Sequence, residues 1–131
     1  MAKPKVLIVE DNPDARQLLV MVLGREDYEV IEARNASEAL HQASTQHPDL
    51  ILMDLGLPGM TGDEVTARIR GDPCTAHIPI IVDTAFDPRA PIVKRAFEAG
   101  ADQIFYKPLN FKLLRQAIRR LIAQRHSAAE A

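Results

Sequence analysis

Three short apolar runs end on groups that can do chemistry. Val6-Leu7-Ile8-Val9 runs into Glu10-Asp11, Leu50-Ile51-Leu52-Met53 into Asp54, and Ile104-Phe105-Tyr106 into Lys107. Carboxylates with water suit Mg²⁺, which takes few protein ligands and keeps several waters. Zinc would draw on histidine or cysteine, yet Cys74 is the single cysteine, and the four histidines (His41, His47, His77 and His126) fall in helical, loop or tail segments and read as surface residues. Beside a cation, an aspartate can act as a nucleophile and take a phosphoryl group as an acyl phosphate. Such transfer depends on positioning and charge neutralisation. Mg²⁺ and Lys107 would bring positive charge to Asp54, and Thr84, in Val82-Asp83-Thr84-Ala85, a hydroxyl donor. Each residue alone has a plainer explanation. Asp54 suits a turn, Glu10-Asp11 a helix start, Lys107 a solvated position before Pro108, and Thr84 a strand. Their joint arrival at one place favours the chemical reading.

What brings them together is the pattern of the elements. Apolar runs this short, separated by helix-like stretches, are central strands of a parallel sheet covered on both faces. Ligands of such sheets bind beyond the carboxyl ends of the strands. Strands are expected over 5–9, 28–33, 49–54, 78–83 and 103–106. Asn12 caps a first helix with Pro13 at its first position; that helix buries Leu18, Leu19, Val22 and Leu23 and ends at Gly24. Asn35 with Glu38 forms a capping box opening a helix over Ala39, Leu40 and Ala43. A third helix covers 63–70. After the fourth strand, Asp87-Pro88 could cap a helix, but Pro91 three residues later makes its start irregular or late. Asn110 caps the last helix, with Leu114, Ala117, Ile118, Leu121 and Ile122 on its inner stripe. The five βα units predict a doubly wound α/β domain over 1–125, with a short disordered tail over 126–131.

Composition narrows the function classes. The chain has 131 residues, 47% hydrophobic and 26% charged, with a formal net charge of −2. Nothing global points to nucleic acid or to an anionic membrane. No apolar stretch nears the ~20 residues that cross a bilayer, and the first residues do not read as a signal peptide. A lone cysteine suits the cytoplasm. Lys112, Arg115, Arg119, Arg120 and Arg125 make the last helix basic outside. That is a solvated face by default and a docking surface for an acidic partner as the sharper alternative.

Together, Val9-Glu10-Asp11-Asn12, Leu52-Met53-Asp54-Leu55, Leu57-Pro58-Gly59-Met60-Thr61-Gly62, Thr84-Ala85 and Tyr106-Lys107-Pro108 resemble the receiver domain of two-component response regulators, over roughly residues 5–122. The resemblance implies a flavodoxin-like sheet of order 2-1-3-4-5 with helices on both faces. It implies Asp54 as acceptor of a phosphoryl group from phosphohistidine. Asp11 and Asp54 would ligate Mg²⁺ with the backbone carbonyl of Gly56, and Glu10 would act through water. Lys107 would pair with the phosphoryl group, whose oxygens Thr84 and the Ala85 backbone N–H would bind. The Lys107-Pro108 bond is typically cis in this family. Phosphorylation would then reshape the face made by the fourth helix, fifth strand and fifth helix.

The implied partners are a histidine kinase or histidine phosphotransfer protein and a downstream protein, the chain being a monomer or a weak phosphorylation-dependent dimer. It would be a signalling switch that catalyses its own phosphoryl transfer and loss, rather than a metabolic enzyme. A haloacid-dehalogenase-type phosphatase would need an Asp two residues after Asp54, where Gly56 stands. A flavodoxin would need a Ser/Thr-rich phosphate loop where Glu10-Asp11-Asn12-Pro13 stands. A domain excised from a hybrid kinase or a larger regulator is the alternative; Met1 and the short tail favour an independent protein. Two positions depart from the family's pattern. Ile104 stands where an aromatic is usual, and Asp83 where an apolar residue is usual. Since an unpaired buried charge is costly, Asp83 is expected to face water at the strand end, the alternative being that it perturbs the site.

Overall fold

The structure is a computed structural model that describes residues 3–130, with side chains to Arg125. Strands and helices alternate throughout: β1 (Lys5–Val9), α1 (Pro13–Gly24), β2 (Glu29–Ala33), α2 (Ala36–Gln46), β3 (Leu50–Asp54), α3 (Gly62–Gly71), β4 (Ile80–Thr84), α4 (Pro91–Ala99), β5 (Gln103–Tyr106) and α5 (Phe111–Glu130). The strands form one parallel sheet of order β2-β1-β3-β4-β5. Expectation and structure agree on this architecture. The proposed tail over 126–131 lies outside the residues with described side chains.

Every residue of β3 and of β4 is buried, as expected of strands covered on both faces. Alternation along the strands divides the core in two. Leu7, Val9, Ile51, Met53, Ile80 and Val82 face α2, α3 and α4, meeting Ala39, Ala43, Val65, Ile69, Val93 and Ala96. Val6, Ile8, Leu50, Leu52 and Ile81 face α1 and α5, meeting Leu19, Leu23, Leu114, Ala117, Ile118 and Ile122.

Three helix starts follow their sequence signals. Asn12 Oδ1 accepts from the Ala15 N–H at 3.0 Å, Asn35 Oδ1 from the Glu38 N–H at 2.9 Å, and Asn110 Oδ1 from the Leu113 N–H at 3.1 Å. The Glu38 carboxylate reaches one residue past the expected capping-box partner and accepts from the Arg34 N–H at 2.9 Å. Pro91 is itself the first residue of α4, so the late start is the one adopted. The inner stripe of α1 is narrower than expected. Leu19 and Leu23 are buried, but Val22 is half-buried and Leu18 is 48% exposed. Leu18 turns toward an open groove that it lines with Ala15, Leu19, Pro108, Leu109 and Phe111.

Candidate functional site

β1, β3 and β4 lie side by side, so their carboxyl ends deliver their last residues to neighbouring positions. Asp54 and Asp83 are Cα partners across β3 and β4. On the other side of Asp54, the Glu10 N–H continues the β1 ladder by donating to Ala33 O at 3.1 Å. Glu10, Asp54 and Asp83 share the strand parity of Ile8, Leu52 and Ile81, so a row of three carboxylates crosses the sheet on the α1–α5 face.

Lys107 stands in front of that row. Its Nζ lies 3.2 Å from Glu10 Oε1, 3.7 Å from Asp83 Oδ2 and 3.8 Å from Asp54 Oδ2. The lysine is aimed by the end of β5, where its N–H donates to Thr84 O at 2.8 Å and a cis peptide bond joins it to Pro108. Burial pulls the Lys107 ammonium toward neutrality, but the charges of Asp83, Asp54 and Glu10 outweigh it and hold its pKa above the usual lysine value.

The carboxylates are held unequally. Asp54 is nearly buried, and its Oδ1 accepts from the Gly56 N–H at 3.1 Å. Glu10 is 2% exposed; its Oε2 accepts from the Asn12 N–H at 3.2 Å, while its carbonyl accepts from Arg16 Nη1 at 2.9 Å. Burial, then hydrogen bonding to Asp54 and the Asp54 charge, push the Glu10 carboxyl up to about 7. Asp11 is exposed. One oxygen from each of Glu10, Asp11 and Asp54 falls within 4.8 Å of the others. These are hard oxygen donors in a group of excess negative charge, the set that a Mg²⁺ ion takes.

Thr84 is fully buried at the end of β4, and its Oγ1 accepts from the Phe86 N–H at 2.9 Å. Its own hydroxyl hydrogen is not used in that bond. Ala85 follows at the exposed start of the loop. Of the histidines, His41, His47 and His77 are exposed and apart from this cluster, and His126 is outside the described side chains.

Asp83 does not face water. It is 1% exposed, and its Oδ2 is, among the described residues, the buried side-chain oxygen without a hydrogen-bond partner. Burial pushes its carboxyl up to about 6 against the pull of Lys107. The expectation rested on the cost of an unpaired buried charge, and the fold offsets only part of that cost by setting Lys107 nearby. Strand parity carries the signal: Asp83 lies two residues after Ile81 and so faces the same layer. Ile104 is half-buried against the α2–α4 side of the core, while Tyr106 is 37% exposed. No helix among the described residues is long and apolar enough to cross a membrane.

Comparison with known proteins agrees with this arrangement. The family described as the response regulator receiver domain matches residues 6–119. The chain is 36% identical over 117 residues to the response regulator PleD of Caulobacter vibrioides, covering 89% of this chain and 26% of PleD. It thus spans about a quarter of that relative's length. It is 39% identical over 105 residues to the polar-differentiation response regulator DivK of Brucella ovis, covering 80% of this chain and 85% of DivK. Among solved structures, the receiver domain of a sensor histidine kinase from Pseudomonas aeruginosa PAO1, with a magnesium ion coordinated in its active site cleft, superposes with a TM-score of 0.86. The two are 30% identical, over 93% of this chain and 99% of that one. The strand order, the acidic cluster and the match over most of its length make this chain a member of the response regulator receiver domain family.

Proposed function

We propose that this receiver takes a phosphoryl group from a phosphohistidine onto Asp54. The observation that carries the reading is the meeting of Glu10, Asp11 and Asp54 oxygens within 4.8 Å, with Lys107 Nζ 3.8 Å from Asp54. In the transfer, the donor's N–P bond breaks as a bond forms between phosphorus and an Asp54 oxygen, and the electron pair leaves with the imidazole.

Asp11, Asp54 and the Gly56 carbonyl would hold Mg²⁺, with Glu10 acting through water; when bound, the ion neutralises charge on the phosphoryl oxygens. Lys107 supplies a second positive charge and is already oriented by the turn at Pro108. The Gly56 N–H fixes one Asp54 oxygen and so limits the carboxylate's rotation. Thr84 offers its unused hydroxyl hydrogen, and the Ala85 N–H a second donor, to phosphoryl oxygens. Because Thr84 Oγ1 also holds the Phe86 N–H, movement of Thr84 toward the new charge shifts the loop into α4. That route carries the event to the face of α4, β5 and α5, where a downstream protein would dock.

The donor is a histidine kinase or a histidine phosphotransfer protein. The chain acts in the cytoplasm as a switch, not as a metabolic enzyme, and is monomeric or dimerises weakly on phosphorylation. The test is intact-mass measurement after incubation with acetyl phosphate and Mg²⁺. Wild type is expected to gain the mass of one phosphoryl group and Asp54→Asn to gain none; equal adduct levels in the two would remove Asp54 from the acceptor role.

A further inference from the structure

The third carboxylate of the row has no part in the chemistry just described. The oxygens that converge for a cation are those of Glu10, Asp11 and Asp54, not of Asp83, whose charged neighbour is Lys107 at 3.7 Å. It is 1% exposed, its Oδ2 lacks a hydrogen bond, and it is the direct ladder partner of Asp54. A buried negative charge in that position acts in two ways. It draws the Lys107 ammonium away from the reacting carboxylate, and it raises the electrostatic cost of adding phosphoryl charge to the neighbouring strand end.

We propose that Asp83 is a positioning residue that restrains phosphorylation of Asp54, by holding Lys107 in a shared contact and by adding negative charge next to the acceptor. The proposal rests on the reading of Asp54 as the acceptor. It makes this receiver a slow acceptor from small donors, relieved when the Asp83 charge is removed. Lys107 Nζ lies 3.2 Å from Glu10 and is shared between Asp83 at 3.7 Å and Asp54 at 3.8 Å, so the ammonium must shift its balance toward Asp54 before it can serve the phosphoryl group fully. An uncharged residue at position 83 lowers the work of that shift.

The experiment compares wild type, Asp83→Asn, Asp83→Leu and Asp54→Asn, each with acetyl phosphate and excess Mg²⁺ at pH 8. The rate of phosphoryl adduct formation is read by intact mass, and folding is checked by thermal melting. Asp83→Asn keeps the side chain's volume, and Asp83→Leu supplies an apolar residue should the amide find no partner. Asp83→Asn is expected to accelerate adduct formation roughly tenfold, the effect of about 1.4 kcal/mol on a barrier, with Asp83→Leu moving the same way. A rate at or below wild type in folded Asp83→Asn overturns the proposal. The Lys107 side-chain resonance, followed by NMR on lysine-labelled protein, is expected to move in Asp83→Asn while that of exposed Lys94 stays in place. An unmoved Lys107 signal also overturns it. Adduct in wild type that survives Asp54→Asn would defeat the acceptor assignment, and the proposal with it; adduct confined to Asp54 without acceleration defeats the proposal alone.

Discussion

A Cβ placed on Gly62 would stand 2.5 Å from the backbone carbonyl oxygen of Asp54 and 2.9 Å from Leu55 Cα. The first residue of α3 thus presses on the backbone of the candidate acceptor, and the Gly62 N–H donates to Leu55 O at 3.0 Å. The requirement is for space. Gly62→Ala must push α3 away from the end of β3, and backbone on both sides cannot yield as a flexible side chain would. It is expected to destabilise the fold by about 1–3 kcal/mol, measured by urea unfolding, and to slow adduct formation at Asp54. Unchanged stability would mean that α3 moves freely over this strand end.

Asp11 and Glu10 sit in different surroundings, and their variants should differ in Mg²⁺ affinity. Asp11 is exposed, whereas Glu10 is buried and engaged by Lys107 and the Asn12 N–H. Glu10→Gln is expected to weaken Mg²⁺ binding by roughly tenfold, as a partner acting through water does, and Asp11→Ala by more. Isothermal titration of the two variants checks this; equal losses would contradict the direct and water-mediated roles.

Burial of Asp83 sets a pH dependence of stability. Its carboxyl is raised by burial from 3.8 to about 6, so between those values the folded chain keeps a proton that the unfolded chain has lost. Stability from this group is therefore fully present below pH 3.8 and disappears as pH rises through about 6. Without metal, wild type is expected to lose up to about 3 kcal/mol over this window relative to Asp83→Asn. Denaturant titrations of both proteins at pH 4 and pH 7 measure the difference; parallel pH profiles would show that Asp83 titrates normally.

Arg70 ties α3 to the opposite end of the sheet. Its guanidinium donates to Gly100 O at 2.9 and 3.1 Å, Ala76 O at 3.0 Å, Ile78 O at 2.6 Å and Asp102 Oδ2 at 2.9 Å. A lysine cannot reproduce this planar fork. Arg70→Lys is expected to cost about 1–3 kcal/mol through carbonyls left without donors, with the Mg²⁺ affinity unchanged. Differential scanning calorimetry would show it as a lowered melting temperature.

The sequence by itself determined the elements, the sheet class and which charged side chains stand at the strand ends as candidates for the chemistry. Those features are local: apolar runs of strand length, Asn caps at 12, 35 and 110, and charges placed at strand ends. The Asp83–Lys107 contact, the row of carboxylates on the α1–α5 face and the Arg70 tie to Gly100 were decided only by the tertiary structure. Each joins residues far apart in the chain, and each depends on which strands are neighbours and which face a side chain takes. Asp83 shows the physical reason most clearly. Its parity with Ile81 turns it to the buried layer, where its local sequence offers a charge no partner; the β3–β4 register and the arrival of β5 bring the ammonium of Lys107 near it.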